Sequence, residues 1–258
     1  FIEVAANQGY PDALLYYSKM IEEGVDVPYD VDNAFYCKRV SAFLGSIEGM
    51  YQYALHCFRF KYKPVSFEEA KRFFKKVSDK WRADAMFKYA LLLLETKEKS
   101  NIKKAIDLIR YSAFCGNTDA MFDYGTRLLK GYDIPIDEEE GLKYLKKAAD
   151  CGNTFAMCMY GVSLLHRNKN PEDKEEAKKY FKSAADEGDP YGLQLYGNFL
   201  LDHNNSEDSS PINEEGAKYI KMAALKGNVD AISKYTILLL DGIGVPANKE
   251  KAIFYFKH

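Results

Sequence analysis

Four histidines and five cysteines are the side chains of this 258-residue chain best suited to catalysis or metal binding. A metal centre needs such groups clustered, typically two His one helical turn apart or Cys in closely spaced pairs, so that several lone pairs converge on one point. His56, His166, His203 and His258 are widely separated, and no H-E-x-x-H occurs. These imidazoles read as surface or interface groups. Cys37, Cys57, Cys115, Cys151 and Cys158 are odd in number and lack the spacing of a disulfide framework, which points to reduced thiols and a cytoplasmic location. Cys151 and Cys158 read as buried or half-buried thiols, not a bridge. The acids from Asp137 to Glu140 suit a helix N-terminus, where the backbone dipole favours negative charge, better than a metal. No Walker loop, G-x-G-x-x-G or G-x-S-x-G is present. The expectation is no enzyme: no catalytic residue, no cofactor and no metal.

Binding chemistry is better represented. The formal net charge is −2, which gives no overall attraction to nucleic acid or to a membrane. The longest apolar run, Ala90 to Leu94, is far short of a membrane span. One segment departs from this average. From Arg59 to Arg82 nine basic residues face three acidic ones. Lys63, Lys71, Arg72, Lys75 and Lys76 are therefore candidates to hold an acidic protein partner; the other reading is the solvated face of one helix.

The elements that position these groups follow a clock. Small-residue pairs followed by an anchor recur at Gly9, Gly45, Trp81, Gly116, Gly152, Gly188 and Gly227, spaced 36, 36, 35, 36, 36 and 39 residues apart. Eight residues after every anchor stands a tyrosine: Tyr17, Tyr53, Tyr89, Tyr124, Tyr160, Tyr196 and Tyr235. The fourth residue is always Ala or Gly, and the fifth is always Leu, Met or Ile. The units are 1–9 (the end of a second helix), 10–45, 46–81, 82–116, 117–152, 153–188, 189–227 and a truncated 228–258, forming one repeat domain over 1–258.

Within one unit, Ala120, Met121, Tyr124 and Leu128 form a single apolar stripe at helical spacing, helix A. Asp137 caps helix B, whose inward side carries Leu142, Leu145, Ala148 and Ala149, and Gly152 ends it. Such a pair is too small to close its own core, so neighbours must stack. The tyrosines are expected buried, between helix A and helix B of neighbouring units. Trp81 replaces the expected Gly; because a bulky residue resists positive φ, a different turn is expected there.

These residues resemble the Sel1-like repeat, a relative of the tetratricopeptide repeat. The family's loop is matched by GIGV at Gly242 to Val245 and nearly by GVDV at Gly24 to Val27, and its second helix by AKKYFKSAADEG at Ala177 to Gly188. The family's Leu and Tyr core positions are exchanged here, Tyr standing for Leu and Leu93, Leu128, Leu164, Leu200 and Leu239 for Tyr. The resemblance implies an all-α, right-handed α-solenoid of stacked antiparallel helix pairs with helix A on the concave side. It implies an adaptor or scaffold for protein partners, within a large assembly. By the tetratricopeptide analogy, the sixth and tenth residues after each anchor face the groove. They are Tyr51 and Leu55, Phe87 and Leu91, Phe122 and Thr126, and Cys158 and Val162, with Lys19, Gln194, Asn198 and Ser233 towards the ends. A binding groove and plain packing are both open readings of this line. Two rival functions stand beside the scaffold: a regulatory or docking extension of a larger enzyme such as a protein kinase, and a lumenal quality-control adaptor. For the latter the sequence offers one sequon, Asn204-Asn205-Ser206. Both chain ends fall inside a unit, so more protein is expected at each.

Overall fold

The computed structural model describes residues 1–59, 64–167, 170–202 and 211–257; the sequon, His203, His258 and Lys63 lie outside them. Among the described residues there are fifteen α-helices and no strand. They form two compact units, residues 1–120 and 121–258. The first holds α1 (Ile2–Asn7), α2 (Pro11–Glu23), α3 (Val31–Phe43), α4 (Ile47–Arg59), α5 (Pro64–Ser78), α6 (Ala83–Glu95), α7 (Lys99–Phe114) and the opening of α8 (Thr118–Lys130). The second holds the remainder of α8, then α9 (Glu138–Asp150), α10 (Thr154–Arg167), α11 (Pro171–Asp186), α12 (Pro190–Asp202), α13 (Pro211–Leu225), α14 (Val229–Asp241) and α15 (Lys249–Lys257). Within each unit helices pack on their sequence neighbours, as in an α-solenoid. The even-numbered helices from α2 onward are helix A of successive repeats, and the odd-numbered ones from α3 are helix B.

Two kinds of close crossing hold the stack. The first joins helix A to the preceding helix B at the fourth residue after the anchor. A Cβ placed on Gly49 would come within 2.4 Å of Ser41 Oγ and 2.8 Å of its carbonyl carbon; one on Gly192 would come within 2.6 Å of Ala184 Cβ. Ala85, Ala120, Ala156 and Ala231, at the same phase, are fully buried. The second crossing joins helix A to its own helix B. A Cβ on Gly125 would approach the Gly141 carbonyl oxygen to 2.9 Å, and one on Gly197 would approach that of Gly216 to the same distance. Serine hydroxyls reinforce the pairs: Ser41 Oγ donates to the Pro11 carbonyl at 3.0 Å and Ser112 Oγ to that of Ala83 at 2.8 Å.

These crossings fix where the repeated tyrosines go. Tyr89, Tyr124 and Tyr160 are buried, as expected. The ring partner, however, belongs to helix B of the same repeat. Tyr124 meets Tyr144 edge-on at 5.0 Å, Tyr160 meets Tyr180 at 5.1 Å, Tyr196 meets Tyr219 at 4.8 Å and Tyr235 meets Tyr255 at 5.1 Å. In the first unit Tyr53 meets Phe73 of its own repeat edge-on at 5.3 Å and stacks at the same distance on Phe35 of the preceding helix B, so this ring does lie between neighbouring repeats. Edge-to-face packing sets the positive rim of one ring against the negative face of the other. The phenol oxygens reach polar partners: Tyr53 donates to Glu69 at 2.6 Å and Tyr180 to Asp150 at 2.5 Å.

The helix ends follow local rules. Asp137 Oδ1 accepts from the Glu140 amide at 3.0 Å, which caps α9. The anchors take the left-handed conformation, with φ of 90° at Gly152 and 94° at Gly45. Trp81 corrects the expectation of a different turn: its φ is 62°, so it adopts the same conformation without being glycine. That geometry brings a non-glycine Cβ against the carbonyl that follows, at a cost of about 1–2 kcal/mol.

Two stability measurements check this packing. Gly49→Ala should lower stability by about 1–3 kcal/mol through overpacking against α3, although alanine is the better helix former by about 1 kcal/mol; an increase in the urea midpoint would remove the crossing from the core. Tyr124→Ala should cost about 3–5 kcal/mol, and a midpoint equal to the parent's would contradict the edge-on pair.

Candidate interaction surfaces

The groups suited to metal or covalent chemistry are dispersed. Among the described residues no three His, Cys, Asp or Glu side chains stand close enough to hold a metal ion. His56 lies half-buried with its ring 4.4 Å from that of Phe35, and His166 is exposed. All five cysteines are free thiols. Cys37, Cys57 and Cys158 are buried, while Cys151, expected at least half-buried, is exposed with Cys115. Burial pushes the Cys57 thiol up to about 11 and the Cys158 thiol to about 12, where the Asp189 charge adds to it. Both are therefore protonated and poor nucleophiles at neutral pH.

The helix-A line at the sixth and tenth positions divides by burial. In the first unit Tyr51 and Phe87 are buried and Leu55 and Leu91 half-buried. The Arg82 guanidinium lies 3.7 Å over the Tyr51 ring and is held there by an ion pair with Glu48, so Tyr51 is covered from above. In the second unit Cys158 is fully buried, whereas Phe122, Thr126 and Val162 are half-buried. Tyr51, Phe87 and Cys158 thus belong to the core and cannot serve as open contact surface, because the rotation of helix A turns the sixth position towards its neighbours.

The phase that does reach solvent is the third. Five repeats carry an acid there: Asp12, Glu48, Asp84, Asp119 and Asp230. It lies in the first turn of helix A, where a carboxylate is favoured by the dipole. Two consecutive repeats instead carry Phe155 and Tyr191, 60% and 41% exposed. The Phe155 ring stands 6.3 Å from that of Phe122. Met159 and Leu195, one turn further along α10 and α12, are half-buried, and Thr126 Oγ1 lies 3.7 Å from Met159 Sδ. Sequence reasoning passed over Phe155 and Tyr191, although the acids at the same phase in five repeats were the available signal.

Of the basic candidates on α5, Arg72, Lys75 and Lys76 are exposed and Lys71 is half-buried. Arg72 and Lys76 lie 5.8 and 5.5 Å from the centre of the buried Phe73 ring. Their stems cover apolar surface while their charges stay in water.

Comparison with known proteins accords with this architecture. The Sel1 repeat family model matches residues 11–37, 118–153, 154–189 and 231–257. A Sel1 repeat protein from Oxalobacter formigenes superposes with a TM-score of 0.73 at 22% identity, covering 99% of this chain and 73% of that one. A protective antigen of uropathogenic Escherichia coli with the SLR fold gives 0.67 at 19% identity. There the match covers 99% of this chain but only 62% of the antigen, so the chain spans less than two thirds of that protein's length. An immunity protein from Pseudomonas aeruginosa gives 0.51 at 18% identity, with 83% of this chain and 80% of that one covered. At these identities the likeness is one of fold. No curated protein sequence matches the chain. Proteins built from this repeat are generally protein-interaction scaffolds. The recurring anchors, the helix pairs and the four family matches agree, and the chain belongs to the Sel1 repeat family.

Proposed function

We propose that the chain is a non-enzymatic, cytoplasmic protein-interaction scaffold that holds a peptide or helix of its partner along the helix-A face of residues 121–258. One observation carries the reading. At a phase where five repeats place a carboxylate, two neighbouring repeats place exposed aromatic rings, Phe155 and Tyr191. The carboxylate would favour the helix N-terminus and solubility alike. Replacing it twice in succession with an aromatic removes both benefits and creates an apolar strip continued by Phe122, Met159, Val162 and Leu195. Strips of this kind mark contact sites, and aromatic anchors supply most of the affinity at such sites. The odd cysteine count without bridge spacing supports the cytoplasmic placement.

The test pairs stability with binding. Peptides selected from a display library on the full chain are titrated calorimetrically against the parent, Phe155→Ala and Phe122→Ala. Each variant should lose about 2 kcal/mol or more of affinity with the thermal midpoint changed little. Selected peptides that bind both variants as tightly as the parent would displace the contact from this face. Strong destabilisation without specific loss of binding would assign these rings to the core.

A further inference from the structure

Within residues 1–120 the turns that link each helix B to the next helix A lie along one edge, and this edge is unusual. Three of its four turns, those at Gly45, Trp81 and Gly116, expose an aromatic ring at or just before the anchor: Phe43 at 57%, Trp81 at 68% and Phe114 at 79%. Leu44, Ile47 and Tyr111 beside them are exposed as well. The Trp81 and Tyr111 rings are 5.3 Å apart and those of Tyr111 and Phe114 6.3 Å apart, so the second and third turns share one apolar strip. Phe43 lies edge-on to Phe73 of α5 at 5.5 Å, which ties the first turn to the next helix.

The equivalent turns of residues 121–258 provide an internal comparison. Two residues before the anchor they carry Asp150 and Asp186, with Leu225 in the third. Six residues before the anchor every turn except that at Gly9, which has Glu3, carries a base: Arg39, Lys75 and Arg110 in the first unit, Lys146, Lys182 and Lys221 in the second. Lys182 pairs with Asp186 at 2.8 Å, one helical turn on. In the first unit Phe43 and Phe114 occupy the position of that acid, so Arg39 and Arg110 have no carboxylate one turn on, Arg110 pairing instead with Asp107 one turn before it. The Arg39 guanidinium lies 5.7 Å from the Phe43 ring centre. Lys76 and Lys80 add charge around Trp81. Of the acids nearby, Glu48 and Asp84 are engaged by Arg82 and Asp107 by Arg110, leaving Asp79 and Asp119 against this group of bases.

Trp81 supplies an independent observation. Six anchors are glycine, and the seventh holds a tryptophan at φ 62° with most of its ring in water. Neither the turn nor the core requires that side chain.

We propose that this edge is a peripheral membrane-docking surface for bilayers containing anionic lipid. Phe43, Trp81 and Phe114 enter the boundary between acyl chains and headgroups, and Arg39, Lys75, Lys76 and Arg110 lie among the headgroups. The depth order favours lipid over an acidic protein. Phe43 and Phe114 end their helices with Arg39 and Arg110 one helical turn, about 5 Å, behind them, and Trp81 follows α5 with Lys75 and Lys76 in that helix's last turn. That layering matches an interface where aromatic rings settle at headgroup level and long basic side chains reach anionic lipid. No described helix is long and apolar enough to cross a bilayer, so the contact lies on the membrane, not through it.

The single tryptophan of the chain lies at this site, so its fluorescence reports directly on insertion. The full chain is mixed with vesicles of phosphatidylcholine containing phosphatidylserine, and with vesicles of phosphatidylcholine alone. Trp81 emission should move to the blue and the chain should co-sediment with the anionic vesicles only, an effect weakened by added salt. Trp81→Gly, which installs the residue of the other anchors, and Phe114→Asp should each reduce co-sedimentation about tenfold or more while the circular dichroism spectrum and thermal midpoint stay near the parent's. Phe155→Ala, on the other unit, should sediment as the parent does. The proposal is overturned if emission and sedimentation do not change with anionic vesicles, or if folded Trp81→Gly and Phe114→Asp sediment as well as the parent. It is equally overturned if soluble polyglutamate, but not vesicles, shifts the emission, which would identify an acidic protein as the occupant.

Discussion

Backbone-to-backbone approach at small residues is the constraint on which the rest of this structure depends. Helices that meet at Gly49 and Ser41, or at Gly125 and Gly141, come too close for any added methyl group. Side chains flanking each crossing must then interlock, because interiors pack as densely as organic crystals and leave no slack for a misplaced ring. The edge-on tyrosine pairs are a consequence of that spacing. Tyr124 on Tyr144 and Tyr160 on Tyr180 adopt nearly the same geometry because the small residues beside them set the same separation. One helix pair could not hold these rings out of water, so its stability is shared with the neighbours on which it stacks.

A core that claims fixed phases leaves the other phases free. The fourth, fifth and eighth residues after each anchor vary little among the repeats, while the third varies from aspartate to phenylalanine. Repeats of one chain fold under one set of rules, so a departure at a free phase is not a demand of the fold. Phe155, Tyr191, Phe43 and Phe114 are departures of this kind, each replacing a side chain that would serve the helix end or the surface better.

Much of the fold was legible in the sequence, and less of the surface. The anchors and the tyrosine phase located the helices, and Asp137 and Gly152 marked the ends of one of them, because caps and left-handed turns are decided by a few adjacent residues. Periodicity reports phase along a helix but not the angle at which that helix is set against its neighbours. That angle buries Tyr51, Phe87 and Cys158 and brings Phe155 and Tyr191 outward. It also decides that the tyrosines meet helix B of their own repeat, a pairing set by the Gly125–Gly141 type of crossing.

Trp81 shows how a departure is weighed. Its left-handed backbone costs about 1–2 kcal/mol relative to glycine, and ordinary core burial of an indole would more than offset that. Most of the Trp81 ring is in water, and the contact with the exposed Tyr111 ring is worth about 0.5–1.5 kcal/mol at best. The local terms therefore come close to cancelling, and the folded chain in isolation gains nothing decisive from the residue. What changes between glycine and tryptophan at this anchor is the surface offered to solvent. The same holds for Phe43 and Phe114, which leave Arg39 and Arg110 without an acid one turn on along their helices. All three exchanges fall on successive turns of one edge and make its tip more apolar, and those at Phe43 and Phe114 also leave the base behind them without an acid one turn on, whereas the Trp81 turn keeps Asp79. Independent drift at unconstrained positions has no reason to produce that common direction.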